Sequence, residues 1–188
     1  MLRRNGIFTA TILSAALAMT AAVAHAQKKD PNVGGAPMFP TKNIVQNAVN
    51  SKDHTTLVAA VKAAGLVDTL ESAGPFTVFA PTNEAFDKLP AGTVQTLLKP
   101  ENKGELVKIL TYHVVAGRLS SKDLMKQIKK GNGKAILKTV SGGTLTATMA
   151  EGKIMLTDEK GGMATVTIPN VYQSNGVIHV INTVLLPN

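Results

Sequence analysis

The chain has 188 residues, no cysteine, no tryptophan, a hydrophobic share of 44% and a formal net charge of +8 at pH 7. A chain of this size buries about 70% of its unfolded surface and can hold one core without disulfides. The lack of cysteine excludes thiolate metal sites, a disulfide scaffold and a lipid anchor at a cleavage-site cysteine, and an aromatic share of 4% leaves few rings to stack on nucleic-acid bases.

Arg3 and Arg4 precede an uncharged stretch from Asn5 to Val23, and Ala24-His25-Ala26 closes it. That is the three-part pattern of a secretory signal with cleavage expected after Ala26, so residues 1–26 are read as a signal peptide. The reading implies a secreted or periplasmic location, with no transmembrane segment after cleavage. Residues 27–42 contain Asp30-Pro31, Gly34-Gly35, Pro37 and Pro40 and read as a flexible leader; the folded domain is expected over 43–188.

Helical spacing begins at Asn43, with Ile44, Val45, Ala48 and Val49 as one stripe and Leu57, Val58, Val61 and Ala64 as a second, ended by Gly65 as a C-cap. A short helix is expected over Leu66–Leu70. Phe76 to Ala80 carries an aromatic ring on each face and predicts an interior strand. Pro81 stops it and Thr82 caps a helix that carries Phe86 and Leu89 on one stripe. Leu106, Ile109, Leu110 and His113 lead into Tyr112-His113, and Ser120 or Ser121 caps a helix with Leu124, Met125 and Ile128.

Beyond Gly131 the period changes from helical to alternating. Runs at Ala135–Val140, Leu145–Met149, Ile154–Thr157 and Met163–Ile168 are separated by Ser141-Gly-Gly143, Glu151-Gly152 and Gly161-Gly162, which predicts hairpins. Asn175-Gly176 is read as a tight positive-φ turn before a last strand, with Val177, His179 and Ile181 on one face and Ile178 and Val180 on the other. Helices first and strands after, with one early strand rejoining the sheet, is an α+β order.

The enzyme motifs sought are missing: no nucleophile elbow, phosphate loop, dinucleotide fingerprint or His-Glu-x-x-His, so no catalytic residue is assigned. Lys130-Gly-Asn-Gly-Lys134 lacks the outer residues of a phosphate loop and reads as a turn. Asp158-Glu159 reads as a solvated pair. His113 and His179 stand in apolar runs and read as core histidines with satisfied nitrogens, so neither a metal nor a cofactor is expected. Lys122, Lys126, Lys129, Lys130, Lys134 and Lys138 form a basic stretch that is either a solvated face or a candidate surface for an anionic envelope component. Met125, Met149, Met155 and Met163 read as core filler, with an adaptable apolar groove as the alternative.

Phe76–Phe86, Tyr112-His113 and Ser174–Asn182 resemble, in this order, the signature segments of the fasciclin (FAS1) domain family. The resemblance runs over roughly residues 43–187. Its matching residues are Thr77, Phe79, Pro81, Thr82, Asn83, Phe86, Tyr112, His113, Asn175, Gly176, Ile178 and His179. It implies an α+β fold, a wedge-shaped, mostly antiparallel β-sheet core with a cluster of helices on one side. It also implies a secreted, non-enzymatic binding module in cell-surface adhesion or extracellular matrix and envelope interaction, with a protein or polysaccharide as partner. The alternative is a carrier of a small hydrophobic ligand, a lipid or a pigment. Asn170-Val171 stands where animal members carry an Asp-Ile pair linked to integrin binding, and Asn182 where an Asp is common, so integrin recognition is not carried over.

Overall fold

The computed structural model describes residues 30–188. The expected signal peptide and the first leader residues lie outside the described residues. A small hairpin, β1 (Asn32–Val33) with β2 (Ala36–Pro37), comes first among the described residues. Helices α1 (Ile44–Ala48), α2 (Thr55–Ala64) and α3 (Val67–Glu71) follow. Strand β3 (Phe76–Pro81) leads into α4 (Asn83–Asp87), α5 (Thr93–Leu97) and α6 (Lys103–Tyr112). Then come β4 (Val114–Ala116), α7 (Ser121–Lys130) and five strands: β5 (Lys134–Lys138), β6 (Thr144–Ala150), β7 (Lys153–Thr157), β8 (Met163–Gln173) and β9 (Gly176–Ile181).

Local chemistry sets the helix ends. α2 buries Leu57, Ala60, Val61 and Ala64 at helical spacing and stops at Gly65, whose φ of 71° is the left-handed cap expected there. Thr82 accepts a hydrogen bond from Ala85 N–H at the start of α4. Ser120 and Asp123 form a reciprocal capping box on α7.

The main sheet has the strand order β4-β3-β9-β8-β7-β6-β5. Every neighbouring pair is antiparallel except β3 and β9, which run parallel with Val78 beside Ile178 and Phe79 beside His179. Two signature segments a hundred residues apart in the chain are therefore hydrogen-bonded neighbours. The sheet also curls: Val115 bridges Thr139, and Val140 N–H donates to the Val114 carbonyl at 2.8 Å, so its two edges meet.

Strict alternation along β3 and β9 feeds two cores. Val78, Ala80, Ile178 and Val180 face the helix cluster, with Leu57 and Val61 of α2 and Leu106 and Leu110 of α6. Phe79 and Ile181 face the inside of the curl, with Leu145, Ala147, Leu156 and, from α7, Leu124 and Ile128. Each fully buried side chain of this size contributes about 1.5–3 kcal/mol relative to exposure. The apolar character of both faces in the sequence follows from this double burial.

One expected boundary does not hold. From Asp30 on, the segment read as a flexible leader is anchored on the core by Val33, 3% exposed, and Met38, 2% exposed. Gly34 and Gly35, at φ 60° and 77°, form a tight turn rather than a tether. Asn47 then ties the segment down, donating to the Phe39 carbonyl at 2.8 Å and accepting from Phe39 N–H at 3.0 Å. No helix among the described residues is long and apolar enough to cross a membrane.

Candidate functional site

The signature residues point inward. Thr77 donates its hydroxyl to the Gly117 carbonyl at 2.7 Å and accepts from Leu119 N–H at 2.8 Å, which holds the strap between β4 and α7 against β3. Asn83 reaches across to α2, accepting from Thr56 N–H at 3.0 Å and donating to the Lys52 carbonyl at 2.8 Å; it caps a helix whose own N-cap offers no side-chain bond. Phe79 stacks on His179 with centroids 5.7 Å apart. Pro81, Phe86 and Ile178 are buried, and Thr82 and Asn83 are half-buried, so none of the set is exposed.

Asn175 and Gly176 act differently from the expected turn. Neither has a positive φ; the positive-φ position nearby is Asn170, at 61°. Asn175 is buried and donates to the carbonyls of Leu70 at 2.7 Å and Ser72 at 2.9 Å while accepting from Ile44 N–H at 3.0 Å. One side chain thus joins the start of α1, the end of α3 and the β8–β9 turn. Gly176 is required for close approach, because a Cβ there would collide with the Phe76 carbonyl oxygen.

Tyr112 is fully buried, its hydroxyl donating to the Thr144 carbonyl at 2.6 Å and accepting from Glu159 N–H at 3.1 Å. Burial pushes its pKa up to about 12. His113 accepts at Nε2 from Leu185 N–H at 3.0 Å, which leaves the proton on Nδ1 to donate to the Ile109 carbonyl at 2.8 Å. His179 donates from Nε2 to the Leu119 carbonyl at 2.8 Å and accepts weakly at Nδ1 from Asn170 N–H at 3.4 Å. Both are core histidines held neutral by burial, His113 with its pKa lowered to about 4 and His179 lowered as well.

Beneath α2 and α3, on the helix side of β3, lies a cavity of about 80 Å³. Apolar side chains such as Val61, Leu70, Val78 and Val180 make up most of its wall. Two histidines line it, His113 and His54. His54 is buried; its Nδ1 pairs with Ser51 Oγ at 2.8 Å, while its Nε2 has no hydrogen-bond partner. Burial lowers the His54 pKa, and the Ala80 carbonyl opposes the shift without meeting hydrogen-bond geometry. Of the methionines read as core filler, with a groove as the alternative, Met125 packs on the inner core and none lines this cavity, while two are not core filler at all. Met149 and Met163 are exposed, the latter by 60%, because they alternate outward from strands whose inner residues already fill the curl.

Lys122, Lys126, Lys129 and Lys130 are exposed along α7, and Lys134 and Lys138 are exposed on β5, alternating with buried Ala135 and Leu137. Lys130 and Lys134 border one shallow depression where the chain turns from α7 into β5. The only acid of α7, Asp123, is engaged at the cap, where hydrogen bonds from Ser120 hold its pKa below the usual carboxylate value. All six lysines of the stretch are exposed.

Asp158 corrects another reading: it is buried, not solvated. Its Oδ1 accepts from Lys160 N–H at 3.0 Å and Gly162 N–H at 2.6 Å, and its Oδ2 accepts from Leu186 N–H at 2.9 Å, clamping the chain's last residues to the β7–β8 turn. Glu159 joins the clamp, accepting from Thr144 N–H at 2.9 Å. Among the described residues no group of three or more His, Cys, Asp or Glu side chains is placed to hold a metal ion. Sequence reasoning missed His54, Asp158 and Asn47; the short Ser51-x-x-His54 spacing was the one local signal for the first.

Comparison with known proteins follows the same lines. The family model described as the fasciclin domain matches residues 52–187. The chain is 48% identical to protein sll1483 of a Synechocystis strain over 85% of its length and 82% of that protein's. It is 34% identical to the cell surface glycolipoprotein MPB83 of Mycobacterium bovis, over 85% of this chain and 61% of that one. In structure it resembles a FAS1 domain pair from the insect cell adhesion molecule fasciclin I, with a TM-score of 0.68 and 22% identity over 77% of this chain and 51% of the other. The parallel joining of β3 to β9, the inward-facing signature residues and these matches agree, and the chain belongs to the fasciclin domain family.

Proposed function

We propose that the protein is an extracytoplasmic, non-enzymatic binding module that works in cell-surface adhesion or in matrix and envelope association. The observation that carries the reading is the division of labour: the signature residues are consumed in internal contacts, while the lysines of α7 and β5 are exposed. The cell-surface relative and the adhesion-molecule neighbour support the same class. Its partner is a surface macromolecule, a protein or polysaccharide with anionic groups, met at Lys122, Lys126, Lys129, Lys130, Lys134 and Lys138.

The test is binding of the purified protein to isolated envelopes over a salt series. Binding is expected to weaken at least about tenfold between about 0.1 M and 1 M salt, as the Debye length shrinks from about 10 Å to about 3 Å. Salt-independent binding would contradict the basic surface as the contact. The cavity beneath α2 and α3 favours a second reading, a carrier of a small hydrophobic ligand.

A further inference from the structure

The outer face of β5 to β8 is uncovered among the described residues. Leu137, Leu145, Ala147, Leu156 and Ala164 fill the inside of the curl, and α7 packs on that same side through Leu124 and Ile128. Alternation sends the residues between them outward, and cross-strand register aligns these in two rows. In the first, Ile136 stands beside Thr146, Thr146 beside Thr157 and Thr157 beside Met163; in the second, Lys134 stands beside Thr148, Thr148 beside Met155 and Met155 beside Thr165. Strands lie about 4.8 Å apart, so each row spans about 14 Å. None of these side chains is buried.

The hydroxyls of this face are idle. Thr77, Thr111 and Thr139 spend theirs on carbonyls of the fold, whereas Thr146, Thr148, Thr157 and Thr165 make no hydrogen bond through theirs among the described residues. Charge on the face has one sign. Lys134, Lys138 and Lys153 project from it, Lys138 beside Thr144 and Lys153 beside Ala150, and no carboxylate is among the outward residues of the four strands. Two exposed acids sit in the adjoining turns, Glu151 and Glu159, and the second is engaged by Thr144 N–H at 2.9 Å and Asn188 N–H at 3.3 Å.

A second copy of the chain would set lysines against lysines on such a face. A lipid interior would strip water from the threonine hydroxyls and return no partner. We propose that the outer face of β5 to β8 binds an acidic polysaccharide. The threonine hydroxyls meet sugar hydroxyls, Ile136, Met155 and Met163 pack on the apolar C–H faces of the rings, and Lys134, Lys138 and Lys153 pair with carboxylates along the polymer. The inference rests on the reading of the protein as a surface-binding module and narrows its partner to one class; Lys134 and Lys138 belong both to the lysine stretch and to this face.

The experiment measures binding to polygalacturonate, to neutral dextran and to phosphatidylglycerol vesicles by calorimetry, while NMR follows the methyl signals of Ile136, Thr146, Thr157 and Met163. Polygalacturonate is expected to move these signals and to bind at least about tenfold tighter than dextran. Thr146→Val/Thr157→Val keeps two β-branched side chains and the charge. It is expected to weaken polygalacturonate binding about threefold to tenfold while the urea midpoint and vesicle binding stay as in the parent. Unchanged polygalacturonate affinity in that variant, or signals that move only in α7, would overturn the face and leave the surface-binding reading standing. Dextran binding as tightly as polygalacturonate would overturn the acidic assignment, and vesicles moving the face signals at lower concentration than polygalacturonate would overturn the polysaccharide in favour of lipid. Absence of salt-sensitive binding to envelopes and to every probe would overturn both the inference and the reading beneath it.

Discussion

His113 shows how one buried side chain makes the whole fold respond to pH. Its pKa is about 4 in the folded protein, lowered from 6.5 by burial, so between these values the unfolded chain binds a proton that the folded chain refuses. Stability is full above about pH 6.5 and declines as pH falls toward 4, at up to about 1.4 kcal/mol per pH unit for a single histidine. His54 and His179, also lowered, act in the same direction. Asp123 and Glu159 have lowered values too, but their contribution is lost only below the carboxylate range. Urea midpoints measured at pH 7 and pH 5 are expected to drop markedly, and equal midpoints would mean that the histidines titrate freely. Cap residues such as Thr82, Gly65 and Ser120 were legible in the sequence because their chemistry acts within a few residues. Asn175 was not, since its partners lie 103 to 131 residues away. A separation of 28 residues hid the bond of Asp158 to Leu186, and the residue was read as solvated.

Among the elements, β8 joins the hairpin half of the sheet to the strand pair that carries both signatures. It pairs with β7 at its start and with β9 at its end, and its register shifts twice between Val166 and Val171. Asn170 sits in that irregularity at φ 61°, its Oδ1 accepting from Ser121 N–H at 2.8 Å and its Nδ2 donating to Ser121 Oγ at 2.7 Å. The side chain that tolerates the left-handed backbone also anchors the start of α7. Asn170→Gly keeps the backbone and loses the anchor, whereas Asn170→Val also forces a β-branched residue into a region it avoids. In urea unfolding Asn170→Val is expected to cost about 1–2 kcal/mol more than Asn170→Gly. Equal losses would show that the backbone there relaxes. The hairpins were readable from alternation and turn dipeptides, but β8 was expected to end near Ile168, because a run broken by Pro169 and Asn170 reads as two pieces when its second partner, β9, is out of view.

The whole molecule separates frame from surface. Two cores share β3 and β9, and the signature residues lock the straps and turns that surround those strands. The α+β order, the return of the early strand to the later sheet and the outward lysines were legible because they follow from alternation and helical period. The anchoring of the leader by Val33 and Met38 and the cavity were not, because composition alone cannot tell a loop that covers a core from one that leaves it, and voids have no local pattern. The most direct test of this separation measures envelope affinity and unfolding free energy on two variants. Asn175→Ala leaves two carbonyls and one N–H without their partner and is expected to lose about 2–4 kcal/mol of stability while binding normally at temperatures where it stays folded. Lys126→Glu/Lys130→Glu is expected to keep its stability within about 0.5 kcal/mol and to lose binding. Folded Asn175→Ala failing to bind, or the lysine variant binding as the parent does, would contradict the account.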